Sequence, residues 1–145
     1  MIYFDSAYIV KCYLREIGSE DVRALAETGE SIGSCELARV EFSAAVHRHV
    51  REKQINEKQA FSIFQRFHHD TENGYWTFFP LTTQLMEHGV TAFETLPRHL
   101  FLRTADALHL ICAKKHGFKT LYTNDTHLRE AAFHFGINAI DVIQK

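Results

Sequence analysis

Short apolar runs alternate along the chain with stretches whose apolar residues recur every three to four positions. Ile2-Tyr3-Phe4 is one such run and predicts a buried parallel strand. Residues 6–14 then have helical spacing, with Ala7, Val10 and Leu14 on one face, until Gly18-Ser19 breaks it. Residues 21–28 predict a short helix carrying Val22, Leu25 and Ala26. Gly29 stops it, and residues 31–34 follow as a short strand. The next helix, 37–49, has a stripe of Leu37, Val40, Ala44 and Ala45. Asn56 is placed to cap a further helix, whose stripe is Ala60, Phe61, Phe64 and Phe67 and which Asn73-Gly74 ends. Residues 76–79 predict a strand closed by Pro80, and 82–96 a helix that contains Gly89 and stops at Pro97. Then come a helix over 104–116 with Gly117 beyond it, a strand over 120–122, a helix over 126–135 ended by Gly136, and a strand over 139–142. Residues Ala105, Leu108, Ile111 and Cys112 form the inward face of the first of these helices.

Strands that alternate with helices in this way predict an α/β fold: three layers, α/β/α, around a mainly parallel central sheet. The length and the absence of a linker or repeat predict one domain over 1–145. In such a sheet the C-terminal strand ends share one edge, where ligands bind. Asp5 and Asp125 each follow a predicted strand directly and so belong on that edge.

Composition narrows the function classes. With 46% hydrophobic and 23% charged residues the chain is ordinary globular material rather than a disordered segment. A net charge of -2 means that any nucleic-acid surface must be a local basic patch. Arg48, Arg51 and Lys53, at the polar end of one helix, are the best candidates for phosphate contacts, although such a run is most often a solvated helix end. Cys12, Cys35 and Cys112 are an odd number with no C-x-x-C spacing, and read as buried, reduced thiols in a reducing cytoplasm. Asp5 and Lys11 break the N-terminal apolar stretch. It therefore predicts no secretory signal, and no run approaches a membrane span in length.

The candidate chemistry lies in four carboxylates, Asp5, Glu41, Asp106 and Asp125, each among apolar or small residues. Gathered in one place they would repel one another strongly unless a cation sat between them, which points to a divalent metal site. Capping competes as an explanation for Asp5 or Ser6 and for Asn124 or Asp125, and the helix dipole for Asp106. Glu41 escapes that account. It lies inside a helix, and its neighbours three and four positions away are Leu37, Ala38, Ala44 and Ala45, so it is expected to point from the buried face. Its competing role is a structural ion pair, with Arg103 as partner. The ten histidines form no H-E-x-x-H and no paired Cys/His spacing, which argues against zinc. His109, one turn beyond Asp106, is expected in the core or supporting the site. The phenylalanines at 61, 64 and 67 read as core or dimer surface rather than a base-stacking platform.

With these residues in view, the chain resembles a PIN domain of the VapC type, the toxin of bacterial or archaeal toxin–antitoxin pairs. Phe4-Asp5-Ser6-Ala7-Tyr8-Ile9-Val10-Lys11-Cys12-Tyr13 is similar to the family's opening, an aspartate after an apolar strand followed by V-K-x-Y. Leu37-Ala38-Arg39-Val40-Glu41 resembles the helix that carries the family's glutamate. Arg103-Thr104-Ala105-Asp106-Ala107-Leu108-His109 resembles its R-x-x-D-A-x-H segment, and Thr123-Asn124-Asp125 its final T-x-[DN] strand end. The resemblance covers nearly the whole chain.

The resemblance implies a Mg²⁺- or Mn²⁺-dependent endoribonuclease. Asp5, Glu41, Asp106 and Asp125 would form the ligand and catalytic set, and Ser6 and Thr123 would supply supporting hydrogen bonds. It implies RNA as substrate and a cognate antitoxin protein as partner; a homodimer and a cytoplasmic location are expected as well. Hard oxygen ligands suit Mg²⁺ or Mn²⁺, and Asp106 or Asp5 would orient or deprotonate the attacking water. One departure stands out: Thr126, His127 and Leu128 supply no further acid beyond Asp125, so a second metal would be held weakly or only with substrate phosphate. A different reading is a non-catalytic module whose acidic pocket takes a basic segment of a partner protein. A phosphatase-type domain fits less well. Ala7 stands where its second aspartate would be, and no glycine-rich phosphate loop is present.

Overall fold

A computed structural model, which describes residues 1–144, shows five short strands joined through helices. In chain order they are β1 (Ile2–Phe4), α1 (Ser6–Tyr13), α2 (Ser19–Ala26), β2 (Ile32–Cys35), α3 (Leu37–Arg51), α4 (Glu57–Glu72) and β3 (Trp76–Phe79). There follow α5 (Thr83–Thr95), α6 (Thr104–Lys115), β4 (Thr120–Tyr122), α7 (Thr126–Ala132), a 3₁₀ turn (Phe133–Phe135) and β5 (Asn138–Ile140). The sheet has the order β3-β2-β1-β4-β5, and every adjacent pair is parallel. The chain winds outward from β1 to β2 and β3, then returns to the other side of β1 for β4 and β5. The order therefore reverses between β1 and β4, and the crevice beyond their C-terminal ends is where such sheets bind ligands.

Side-chain alternation along the strands splits the core in two. Phe4, Ile32 and Trp76 join residues of α1–α4 on one face, including Tyr8, Tyr13, Phe42 and Phe67. Tyr3, Cys35 and Leu121 join residues of α5–α7 on the other, including Leu85, Leu110 and Leu128. These are the three expected layers. Gly33 in β2 is required by this packing, since a Cβ there would lie 2.9 Å from the ring of Phe79 and 3.1 Å from that of Phe118.

Several expectations shift. On α3 the buried stripe is Ala38, Phe42, Val46 and His49, one position out of phase with the expected one; Val40 is 68% exposed and Ala44 is exposed. Phe42 sets the phase, because its ring stacks on Phe67 of α4 at 4.0 Å between centroids, burying far more area than an alanine can. On α4 the buried residues are Ala60, Ile63 and Phe67, with Phe64 half-buried and Phe61 exposed. Asn56 caps α4 in a reciprocal box with Gln59. The last strand ends at Ile140 because it pairs only with the three residues of β4. Cys35 and Cys112 are buried, whereas Cys12 is half-buried; all three are free thiols. No described helix is long and apolar enough to cross a membrane.

Candidate active site

Each of the four acids comes from a different element, and all four line one cleft of about 730 Å³ at the β1/β4 crevice. Asp5 follows β1 and is 5% exposed. Its Oδ1 accepts the Tyr8 N–H at 2.9 Å and so caps α1, and its Oδ2 accepts the Thr123 hydroxyl. Burial pushes the Asp5 carboxyl up to about 6, against the hydrogen bonds from Thr123 and Tyr8 and the attraction of His109. Asp125 follows β4 and caps α7, its Oδ1 accepting the Leu128 N–H at 3.0 Å. Thr123 is fully buried and links the two aspartates, because its oxygen also accepts the Asp125 N–H at 3.0 Å. Capping and cleft-lining are thus performed by the same two residues.

Asp106 sits in the first turn of α6. Burial holds its carboxyl above the usual carboxylate range, although the Arg103 guanidinium works in the opposite direction. Arg103 does not pair with Glu41. Its Nε donates to Asp106 at 3.1 Å and its Nη2 to Asp125 at 2.5 Å, so one guanidinium bridges two of the acids. Glu41 pairs instead with His109, whose Nε2 lies 2.6 Å from Oε1. The Glu41 side chain is 26% exposed, because the true phase of α3 puts it at the edge of the buried face, opening on the cleft. Burial pushes the His109 imidazole down, and the carboxylate of Glu41 more than offsets this, leaving it raised above an ordinary histidine.

Ser6 lines the cleft beside Asp5. A second groove shares Ser6, Ala7 and Glu41 with it and runs on to His47, Arg48 and Arg51. Lys53 lies apart, in a depression with Val50, Ile55 and Asn56. Two cleft residues, Phe101 and His127, escaped the sequence reading. Their rings meet edge to face at 4.7 Å on the cleft wall. The only signal was proximity in sequence, each lying two residues from Arg103 or Asp125.

The family profile described as PIN domain matches residues 2–134. The chain belongs to the PIN-domain family. No curated protein matches it at a significant level. Among solved structures this PIN domain is similar to FitAcB from Neisseria gonorrhoeae, at 17% identity and a TM-score of 0.74, over 97% of this chain and 96% of that one. It is also similar to VapBC2 from Rickettsia felis bound to a DNA fragment from their promoter, at 14% identity and a TM-score of 0.67, over 97% and 98% of the two chains. A toxin-antitoxin complex from Klebsiella pneumoniae matches at 12% identity and a TM-score of 0.54, over 87% and 88%. At these identities the likeness is one of fold.

The PIN-domain cleft suits a hard divalent cation by its donor chemistry, since the acids that line it offer carboxylate oxygen. Arg103 is the observation that supports this fit: a positive group already bridges Asp106 and Asp125. Among the described residues no group of three or more His, Cys, Asp or Glu side chains is placed to hold a metal ion. Arg103 occupies one oxygen of each of these two carboxylates.

Proposed function

We propose that this PIN domain is a VapC-type toxin, a Mg²⁺- or Mn²⁺-dependent endoribonuclease that hydrolyses RNA phosphodiester bonds and is held in check by a cognate antitoxin protein. The observation that carries the reading is that Asp5, Glu41, Asp106 and Asp125, from four elements, line one cleft at the switch point of a parallel sheet. These four residues would hold the metal, with Thr123 and Ser6 in support. When bound, the metal would supply charge neutralisation at the scissile phosphate and a more acidic water. Thr123 fixes the Asp5 carboxylate through its hydroxyl. Asp106 or Asp5 would take the proton of the attacking water, and burial keeps both more basic than an exposed aspartate. The groove past Arg48 and Arg51 offers a cationic track for the phosphates of a single strand leading away from the acids.

An antitoxin partner is supported by the fold relatives, among them FitAcB, VapBC2 and a toxin-antitoxin complex. A homodimer is supported by Met86, Val90 and Phe93, which leave a stripe of α5 exposed at helical spacing. The proposed location is the cytoplasm, where RNA and free thiols occur together. Purified protein incubated with 5′-labelled single-stranded RNA tests the reading. Cleavage with Mg²⁺ or Mn²⁺, abolished by EDTA and by Asp5→Asn, is expected. The second reading, a non-catalytic pocket for a basic segment, is favoured by the guanidinium that Asp106 and Asp125 already hold. Intact RNA in every metal condition would decide for it.

A further inference from the structure

Behind the cleft, a chain of polar groups runs through the otherwise apolar core of the α5–α7 layer. The Cys35 N–H donates to the Tyr3 hydroxyl oxygen at 3.0 Å. The same hydroxyl lies 2.8 Å from Nδ1 of His109, and His109 Nε2 lies 2.6 Å from Glu41 Oε1. Tyr3 and Cys35 are fully buried and His109 is 1% exposed. A buried imidazole is costly unless both nitrogens are satisfied, and here both are. An ionised carboxylate only accepts, so Nε2 carries the proton toward Glu41 whether the ring is neutral or charged. Glu41 itself projects from the long helix α3 with a quarter of its side chain exposed, and its side-chain hydrogen bond is to His109.

We propose that His109 is a positioning residue: it holds the Glu41 carboxylate in the cleft, and the Tyr3 hydroxyl, anchored on the β2 backbone, holds the ring of His109. The ring's contribution is orientation; it has no contact with the substrate. The consequence for metal binding rests on the reading of the four acids as ligands. Outer partners of this kind, when removed, cost metal sites about 10–100-fold in affinity.

The test uses Mn²⁺ binding by calorimetry and the imidazole N–H protons of ¹⁵N-histidine-labelled protein. His109→Leu keeps bulk and removes the donor, and is expected to weaken Mn²⁺ by about 10–100-fold. His109→Gln returns an N–H near the Nε2 position and is expected to recover most of that loss. Tyr3→Phe removes a single hydroxyl and is expected to fall between them. In a Glu41→Gln background, His109→Leu should add no more than about twofold, because the residue it acts through is already altered. In the NMR spectrum, a slowly exchanging N–H signal that is absent from His109→Gln should move in Glu41→Gln and in Tyr3→Phe. Equal losses from His109→Leu with and without Glu41 would overturn the proposal, as would an N–H signal indifferent to Glu41→Gln. Should His109→Leu fail to fold, Tyr3→Phe and His109→Gln carry the same comparison. Wild-type protein that binds no Mn²⁺ would overturn the metal reading of the cleft instead, and the N–H signal would still decide whether His109 holds Glu41.

Discussion

Replacing Asp5 by Asn should make the protein more stable without metal while removing the proposed RNA cleavage. Asp5 is buried, and its carboxyl is pushed from an ordinary 3.8 to about 6. At about 1.4 kcal/mol per pH unit, keeping it ionised at pH 7.5 costs the fold about 3 kcal/mol. Asn abolishes that cost. Its Oδ1 can still accept the Tyr8 N–H and cap α1. Its amide, however, faces Thr123, whose hydroxyl now donates to Asp5 and accepts from the Asp125 N–H. The hydroxyl would have to accept twice and lose its own acceptor, at a cost of about 1 kcal/mol. The net gain is about 1–2 kcal/mol, or about 3–7 °C in Tm for a chain of this size.

The pH dependence separates this account from others. A carboxyl raised in the folded state contributes stability that is complete below its ordinary value of 3.8 and is lost as pH rises through the folded value of about 6. The advantage of Asp5→Asn, measured by thermal or urea unfolding in EDTA, should be full at pH 7.5 and shrink toward zero by pH 5. Saturating Mn²⁺ should raise the wild-type Tm and leave that of the variant nearly still. An Asp5→Asn protein less stable than wild type at pH 7.5, or equally shifted at pH 5 and pH 7.5, would refute the reasoning.

Further outcomes follow from the groove and from two glycines. Arg48→Ala and Arg51→Ala should each weaken single-stranded RNA binding and lower its salt dependence by about one phosphate contact, whereas Lys53→Ala, in a separate depression, should do neither; filter binding across a salt series checks this. Gly89→Ala should stabilise by about 0.5–1 kcal/mol, because Gly89 lies inside α5 and the new methyl would meet Leu108 at an ordinary 3.5 Å. Gly33→Ala should destabilise, because its methyl would press on Phe79 at 2.9 Å; urea titrations of both variants check the opposite signs.

What the sequence made legible and what it hid have different physical sources. Asp5 and Asp125 could be placed on one edge from sequence because each follows a strand, and parallel strands end together. The site's pairing could not. Arg103 and Glu41 looked like partners because both needed one, yet Arg103 opens α6 three residues before Asp106 and reaches Asp125 across the crevice. Glu41 meets His109, 68 residues away, although α3 and α6 belong to opposite core layers of the sheet. The phase of α3 is hidden in the sequence for a related reason. Its small residues offer two possible apolar stripes, and only the contact of Phe42 with Phe67 on the neighbouring helix chooses between them. Phe101 and His127 carry no periodicity, and their role as cleft wall emerges only when two loops meet.

The sequence posed helix cap and site ligand as alternatives, but one carboxylate can cap with one oxygen and turn the other to the cleft. Asp125 spends Oδ1 on the Leu128 N–H and turns Oδ2 to Arg103 and the cleft. The cap holds the carboxylate's rotamer, and the helix end favours its charge. The two functions should therefore separate by substitution. Asp125→Ser supplies a good cap through one oxygen and nothing to the cleft, whereas Asp125→Ala supplies neither. In EDTA, Asp125→Ala should lose about 1 kcal/mol of stability relative to Asp125→Ser. Both should lose RNA cleavage and most of the Tm shift induced by Mn²⁺. Thermal scans of the two variants with and without Mn²⁺ test this. Equal stability in EDTA would show that the Leu128 hydrogen bond contributes nothing to α7. A full Mn²⁺ shift in Asp125→Ser would remove Asp125 from the ligand set and leave it as a cap alone.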